Sequence, residues 1–278
     1  MSEDRPEYIV TRRSGNTDRS AMENAPFLSA GELERFHLNG FLGPYTLCSP
    51  GEMAALRPAI VGLLDPENRT SGLPGMISAL NPYMRGGFGR HHQNRFLFDL
   101  ANAAAITRRV SGILGEDLLL WRTMFFPKPA GEKSIPWHQD FDGWEIEPML
   151  VTSCWLAIHD TTPENGCIEV LPGSHRKLYP LIPSSPDVMD GFAQMSDPDT
   201  FDDGNRVSME LKAGQFFLFN ERVLHRSGTN TTDSMRLGLA MRYIPPLVRI
   251  LDPGDRAILL NGTDKFHFNE LVNPPPAA

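Results

Sequence analysis

LLLWRTMFF (118–126) opens a part of the chain whose texture differs from everything before it. MLVTSCWLAI (149–158), CIEVL (167–171), VSMEL (207–211), QFFLF (215–219) and MRLGLAMRYI (235–244) follow. Each run is short, rich in β-branched, aromatic and other apolar residues, and fenced by Gly, Pro, Asn or Asp. Runs of that length and punctuation predict strands of an all-β sandwich or barrel. Upstream the pattern is helical. Ser29 and Glu32 have the spacing of a capping box, with Leu33 and Phe36 on one face behind them. A second helix is expected from Pro50 to about Leu64, and a third from about Asn102 to Leu114, stopped by Gly115. The expectation is a mainly β fold with N-terminal helices.

Residues 1–26 are polar and weakly patterned, and read as a mobile N-terminal arm. Residues 27–278 read as a single domain. Pro, Gly and Asn cluster between Ser71 and Asn94, the mark of a long loop. Its GGFGRHHQNR segment can bend over a site, which draws attention to His91 and His92. A second long stretch, 179–205, is rich in Pro, Asp and Ser inside the β region. It reads as a lid inserted between core strands.

The formal net charge of −8, with no run of Lys or Arg, argues against nucleic acid as a partner. The amino-terminal MSEDRPEYIVTRRSGN has no apolar signal core, and no window approaches 18 consecutive apolar residues. A cytoplasmic protein without a membrane partner is expected. The three cysteines Cys48, Cys154 and Cys167 form no C-x-x-C pair, against both a disulfide framework and a zinc–thiolate site. Nothing in the sequence fixes an oligomeric state.

The chemistry concentrates in IPWHQDFDGW (135–144) and VLHRSGTN (223–230). On extended backbone, side chains two apart share a face, so His138 and Asp140 aim into one pocket. A third ligand must come from elsewhere, and His225, just after an apolar run, is the candidate. Two histidines and a carboxylate on one face of a metal leave open positions, the pattern of non-haem Fe(II) oxygenases. The spacing alone is weak. With eight His and 34 acidic residues in 278, about one His-x-Asp/Glu arises by chance. The conjunction is stronger, because Arg236 lies eleven residues past His225. A guanidinium fork suits the distal carboxylate of 2-oxoglutarate, and Ser227 can add a hydroxyl to it.

WHQD (137–140), SCWLAIHDTTPENGCIEVLPGSH (153–175) and HRSGTN with the following Arg (225–236) together resemble the phytanoyl-CoA dioxygenase family. The likeness runs from about Gly40 to Tyr243. It implies a double-stranded β-helix (jelly-roll, cupin-like) core, with Fe(II) held by His138, Asp140 and His225. It further implies 2-oxoglutarate and O2 as cosubstrates, with Arg236, Ser227, Trp155, Met124 and Arg95 around the 2-oxoglutarate. Gln139, Phe141 and Trp144 then fall where a small-molecule substrate would lie. HQDFDGW is also similar to ectoine hydroxylases of the same family, departing from their longer signature after the Trp. The implied reaction hydroxylates an unactivated C–H of a small metabolite or natural-product intermediate, releasing succinate and CO2. Family members that halogenate carry a small residue in the position of Asp140. No basic cluster suited to a CoA phosphate stands out. A metal-binding cupin without oxygenase activity, such as an isomerase or small-acid binder, would keep the triad but need neither Arg236 nor Ser227. LPGSH (171–175) reads as a structural turn.

Overall fold

The computed structural model describes residues 27–64 and 88–277. The expected N-terminal arm and most of the expected Ser71–Asn94 loop lie outside them. Among the described residues, four α-helices come first: α1 (Ala30–Asn39), α2 (Pro50–Gly62), α3 (Arg95–Ala101) and α4 (Ala104–Leu114). Between α1 and α2 runs β1 (Phe41–Thr46). The remaining strands are β2 (Leu118–Lys128), β3 (Ile135–His138), β4 (Ile146–Glu147), β5 (Thr152–Ala157), β6 (Ile168–Val170), β7 (Leu181–Pro183) and β8 (Gln194–Ser196). They continue with β9 (Val207–Ser208), β10 (Gln215–Asn220), β11 (His225–Ser227), β12 (Arg236–Ile244), β13 (Arg249–Ile250) and β14 (Ile258–Asn261).

Two antiparallel sheets carry the fold. The larger has the order β1-β10-β5-β12-β2-β14, the smaller β3-β11-β6-β9. Strands from both ends of the chain alternate across each sheet, the wiring of a jelly roll. Period-2 alternation decides which side chains face where. On β12, Leu237, Leu239, Met241 and Tyr243 enter the core shared with α2, α3 and α4. On the opposite face, Arg236, Ala240 and Arg242 line a cavity between the sheets. Gly238 lies on that face too, where an added Cβ would run into the Trp155 indole. β10 splits in the same way: Phe216 and Leu218 join the helix-side core, Phe217 and Phe219 the inner one. Each such large side chain contributes about 1.5–3 kcal/mol when fully buried.

The β2–β12 ladder holds one irregularity. Arg242 pairs with Arg122, but Tyr243 pairs with Leu120, so Trp121 is an extra residue on β2. A bulge of this kind reverses the faces. Leu118 and Leu120 point into the helix-side core before it, and Arg122, Met124 and Phe126 point into the cavity after it.

Local signals explain the helices. Ser29 Oγ accepts from Glu32 N–H, and Glu32 accepts in return from Ser29 N–H at 2.8 Å. Ser49 and Glu52 form a second capping box on α2, which the sequence reading had not singled out. Helix α4 ends at Gly115 as expected but begins at Ala104, because Asn102 closes an additional helix. That helix, α3, is capped by Asn94, whose side chain accepts from Leu97 N–H. The LPGSH turn caps α1 from outside: Gly173 N–H donates to Asn39 O, and His175 Nε2 donates to His37 O.

Candidate functional site

His138 ends β3 and His225 begins β11, and the two are direct cross-strand partners. Asp140 lies just past the strand, at the start of a short 3₁₀ turn (Asp140–Gly143). Gln139 between them keeps extended dihedrals of −111° and 128°, so the same-face relation of His138 and Asp140 survives the strand's end. The two imidazole Nε2 atoms lie 3.6 and 3.8 Å from Asp140 Oδ1. One ligand atom from each of the three residues falls within 4.8 Å of the others.

Each imidazole is oriented by its own backbone. His138 Nδ1 donates to Pro136 O at 2.8 Å, and His225 Nδ1 donates to Val223 O at 3.0 Å. A ring whose Nδ1 carries the proton presents an Nε2 lone pair, the form that binds metal. Burial pushes His225 down to about 4, with the facing His138 adding to the effect, so it is neutral near pH 7. The carboxyl of Asp140 is pushed up by burial, but Arg242 and the two histidines outweigh that and hold it well below its ordinary range. Two imidazole nitrogens and an ionised carboxylate oxygen suit a divalent first-row metal such as Fe(II). Ser174, in the LPGSH turn, holds this end of β11 in place: its Oγ accepts from Leu224 N–H at 2.8 Å.

The triad faces a cavity of about 300 Å3. Arg236 and Ser227 share it. The guanidinium of Arg236 donates to Phe126 O and Gly166 O and lies over the Trp155 ring at 5.4 Å. Its Nε is buried with no protein partner, and so is Ser227 Oγ. Buried donors without acceptors are costly, so two of them converging on one space argue for a ligand that accepts from both. Burial pushes Arg236 down to about 10, still cationic at neutral pH. Gly166, at φ 72°, lets its carbonyl reach Arg236; a Cβ there would strike the Gly228 carbonyl.

Trp155, Met124 and Trp144 also line the cavity. Gln139 lines it but is taken up by backbone: its amide donates to Lys177 O and Arg222 O, and its oxygen accepts from Tyr179 N–H. Phe141 is not among the lining residues. Nor is Arg95, which sits on α3 and pairs with Asp99 at 2.7 Å and with Pro275 O. The helix that the sequence reading missed carries Arg95 away from the site. His91 is buried against β2, with Nδ1 2.9 Å from Thr123 Oγ1, and does not line the cavity. Residues that the sequence reading missed do line it: Arg122, Arg242, Arg226 and Phe192. Phe192 comes from the 179–205 insertion, which folds into the β7–β8 hairpin and sets this ring edge-on to His138 at 5.2 Å.

The phytanoyl-CoA dioxygenase family model matches residues 36–238. The chain belongs to that family. It is a 2-oxoglutarate-dependent dioxygenase, with Fe(II) and 2-oxoglutarate as cofactor and cosubstrate. An ectoine dioxygenase of Stutzerimonas stutzeri (strain A1501) is 29% identical over 246 residues, 81% of this chain and 79% of that one. Among solved structures, the non-heme monooxygenase ThoJ superposes with a TM-score of 0.70 at 26% identity, covering 87% of this chain and 86% of its own. CytC3 with Fe(II) and alpha-ketoglutarate gives 0.67 at 24% identity, covering 88% and 93%. Both likenesses fit the jelly-roll core. Among the described residues, no helix is long and apolar enough to cross a membrane.

Proposed function

We propose that this family member hydroxylates an unactivated C–H of a small metabolite or natural-product intermediate at the His138–Asp140–His225 centre. The reaction consumes O2 and 2-oxoglutarate; one oxygen atom enters succinate and the other the product alcohol, with CO2 released. When bound, the iron supplies oxygen activation, and the chain supplies ligands, orientation and a dry pocket. His138, Asp140 and His225 hold the metal. Arg236 and Ser227 receive the distal carboxylate of 2-oxoglutarate, and Trp155 and Met124 wall it in.

The carrying observation is the pair of unpartnered buried donors, Arg236 Nε and Ser227 Oγ, in the same cavity as the triad. A cupin without oxygenase chemistry has no need of them. Cavity size supports a small substrate. About 300 Å3 is at the lower end for small-molecule sites and must also take the cosubstrate. Residues 27–278 act as one domain in this reading, with the 179–205 insertion as a lid over the site. The test is succinate formation by anaerobically Fe(II)-loaded protein on admission of O2, screened over candidate metabolites. Ectoine comes first because of the 29% identical relative. Stimulated succinate with matching product hydroxylation is expected. Iron-loaded protein that takes up no 2-oxoglutarate would overturn the reading.

A further inference from the structure

We infer that Arg122 and Arg242 together seat a carboxylate of the organic substrate, separately from the 2-oxoglutarate carboxylate assigned to Arg236; the inference rests on the oxygenase reading above. The two arginines are direct partners on β2 and β12, and both line the cavity. Like charges opposite each other on a sheet are destabilising. Here the juxtaposition is produced by the Trp121 bulge, which turns Arg122 from the helix-side core into the cavity. Bulges beside active sites commonly re-aim a side chain in this way.

Among the described residues, neither guanidinium is used up. Arg122 donates from Nε to Asp255 Oδ2 at 2.6 Å, on the same oxygen that accepts from Trp121 Nε1. Its two terminal amino groups have no acceptor among the described residues. Arg242 reaches Asp140 Oδ2 with one terminal nitrogen at 3.3 Å, and its Nε is buried without a partner. Among the described residues, Asp140 and Asp142 are the acidic side chains on the cavity wall, and Asp140 belongs to the triad. Aromatic faces hold both forks in place. Trp121 lies 4.2 Å from the Arg122 guanidinium and Trp144 lies 4.9 Å from that of Arg242. Planar, pre-positioned forks with unsatisfied donors match a carboxylate better than any neutral group. The contact from Arg242 to Asp140 places this seat beside the metal centre, so a short acid held here presents its nearby C–H bonds to the reacting position.

The test uses anaerobic Fe(II)-loaded full-length protein saturated with 2-oxoglutarate, which occupies Arg236. Butanoate, 3-methylbutanoate and N-acetylalanine, each beside its primary amide at constant ionic strength, serve as probes. Binding is read as the concentration-dependent rise in Tm. Carboxylates are expected to bind at least tenfold more tightly than their amides. Arg122→Gln combined with Asp255→Asn removes both charges of that pair together and is expected to abolish the difference. Arg242→Lys keeps the charge beside Asp140 and loses the fork, and is expected to weaken the carboxylates alone. Equal binding of acids and amides, or no carboxylate binding to protein that takes up 2-oxoglutarate, would overturn the inference. So would an unchanged preference in both variants. Protein that fails to take up iron and 2-oxoglutarate would overturn the oxygenase reading, and this inference with it.

Discussion

Arg242 Nη2 lies 3.3 Å from Asp140 Oδ2, while the imidazoles of His138 and His225 face Oδ1 of the same carboxylate. The two oxygens thus have separate duties, one toward the metal position and one toward a fixed cation. The arrangement keeps Asp140 ionised in a buried place and fixes its rotation. A carboxylate held this way is already ionised and oriented as the proposed metal ligand has to be.

Removal of either imidazole takes away one of three converging donors. His138→Ala and His225→Ala are each expected to lose tight iron binding and turnover. Metal content after anaerobic reconstitution and gel filtration is the measurement. One equivalent of retained Fe(II) with normal turnover would remove that residue from the centre.

Arg236→Ala takes away the charged hydrogen-bond donor proposed to anchor 2-oxoglutarate. Such a hydrogen bond is worth roughly 1.5–3 kcal/mol, so the 2-oxoglutarate requirement should rise about tenfold or more. Iron uptake should be retained. Arg236→Lys keeps the charge without the fork and should fall in between. An unchanged requirement in both variants would mean that another group holds the cosubstrate.

The β7–β8 hairpin contributes Leu181, Phe192 and Gln194 to the cavity wall. If it acts as a lid, cleavage within 179–205 by a nonspecific protease should slow severalfold at saturating substrate. Equal cleavage with and without substrate would leave the hairpin a fixed wall.

Glu221 is buried, and burial pushes its carboxyl from an ordinary 4.5 up to about 7. Between those values the native state holds a proton that the unfolded chain has released. Its contribution to stability is therefore full below pH 4.5, declines as pH rises, and is lost above about 7. Glu221→Gln, which can still accept from Val151 N–H, should be more stable than the native protein at pH 8 by roughly 1–3 kcal/mol. That advantage should shrink toward zero by pH 5. Urea denaturation at the two pH values checks this, and an equal difference at both would contradict it.

As the proposed iron ligand, the Asp140 carboxylate takes the position that a halide would need, and its negative charge opposes one. In chloride buffer under ¹⁸O2, one heavy oxygen is expected in succinate and one in a hydroxylated product. A chlorinated main product by mass spectrometry would contradict this reading of Asp140.

Much of this was legible in the sequence. The strands announced themselves as apolar runs, and WHQD with HRSGTN named the residues that the fold brings together. Arg242 could have been found as well: counting by twos from Arg236 puts it on the same face of β12. Arg122 could not. Alternation from Leu118 and Leu120 assigns it to the helix-side core, and only the Trp121 bulge reverses that. Arg95 failed for another reason. The resemblance alone placed it by the cosubstrate, and no apolar stripe long enough to announce α3 precedes Asn102; the helix holds it outside the cavity, on Asp99 and Pro275 O. Gln139 was placed at the substrate by the resemblance alone, which does not register the three backbone hydrogen bonds that occupy its amide.

β12 is, in effect, a ruler. Arg236 and Arg242 stand on one strand, six residues apart, which at 3.2–3.4 Å per residue separates their backbones by roughly 20 Å. Deleting a single residue between them would turn one arginine into the helix-side core. Deleting two would restore the face but shift one anchor by roughly 7 Å against the metal. The span between cosubstrate end and far wall is therefore not adjustable in small steps. For the carboxylate seat inferred above, fitting a longer or shorter acid has to be done elsewhere, and the β7–β8 hairpin, a two-stranded sheet of its own, is the wall that lies outside both ladders of the jelly roll.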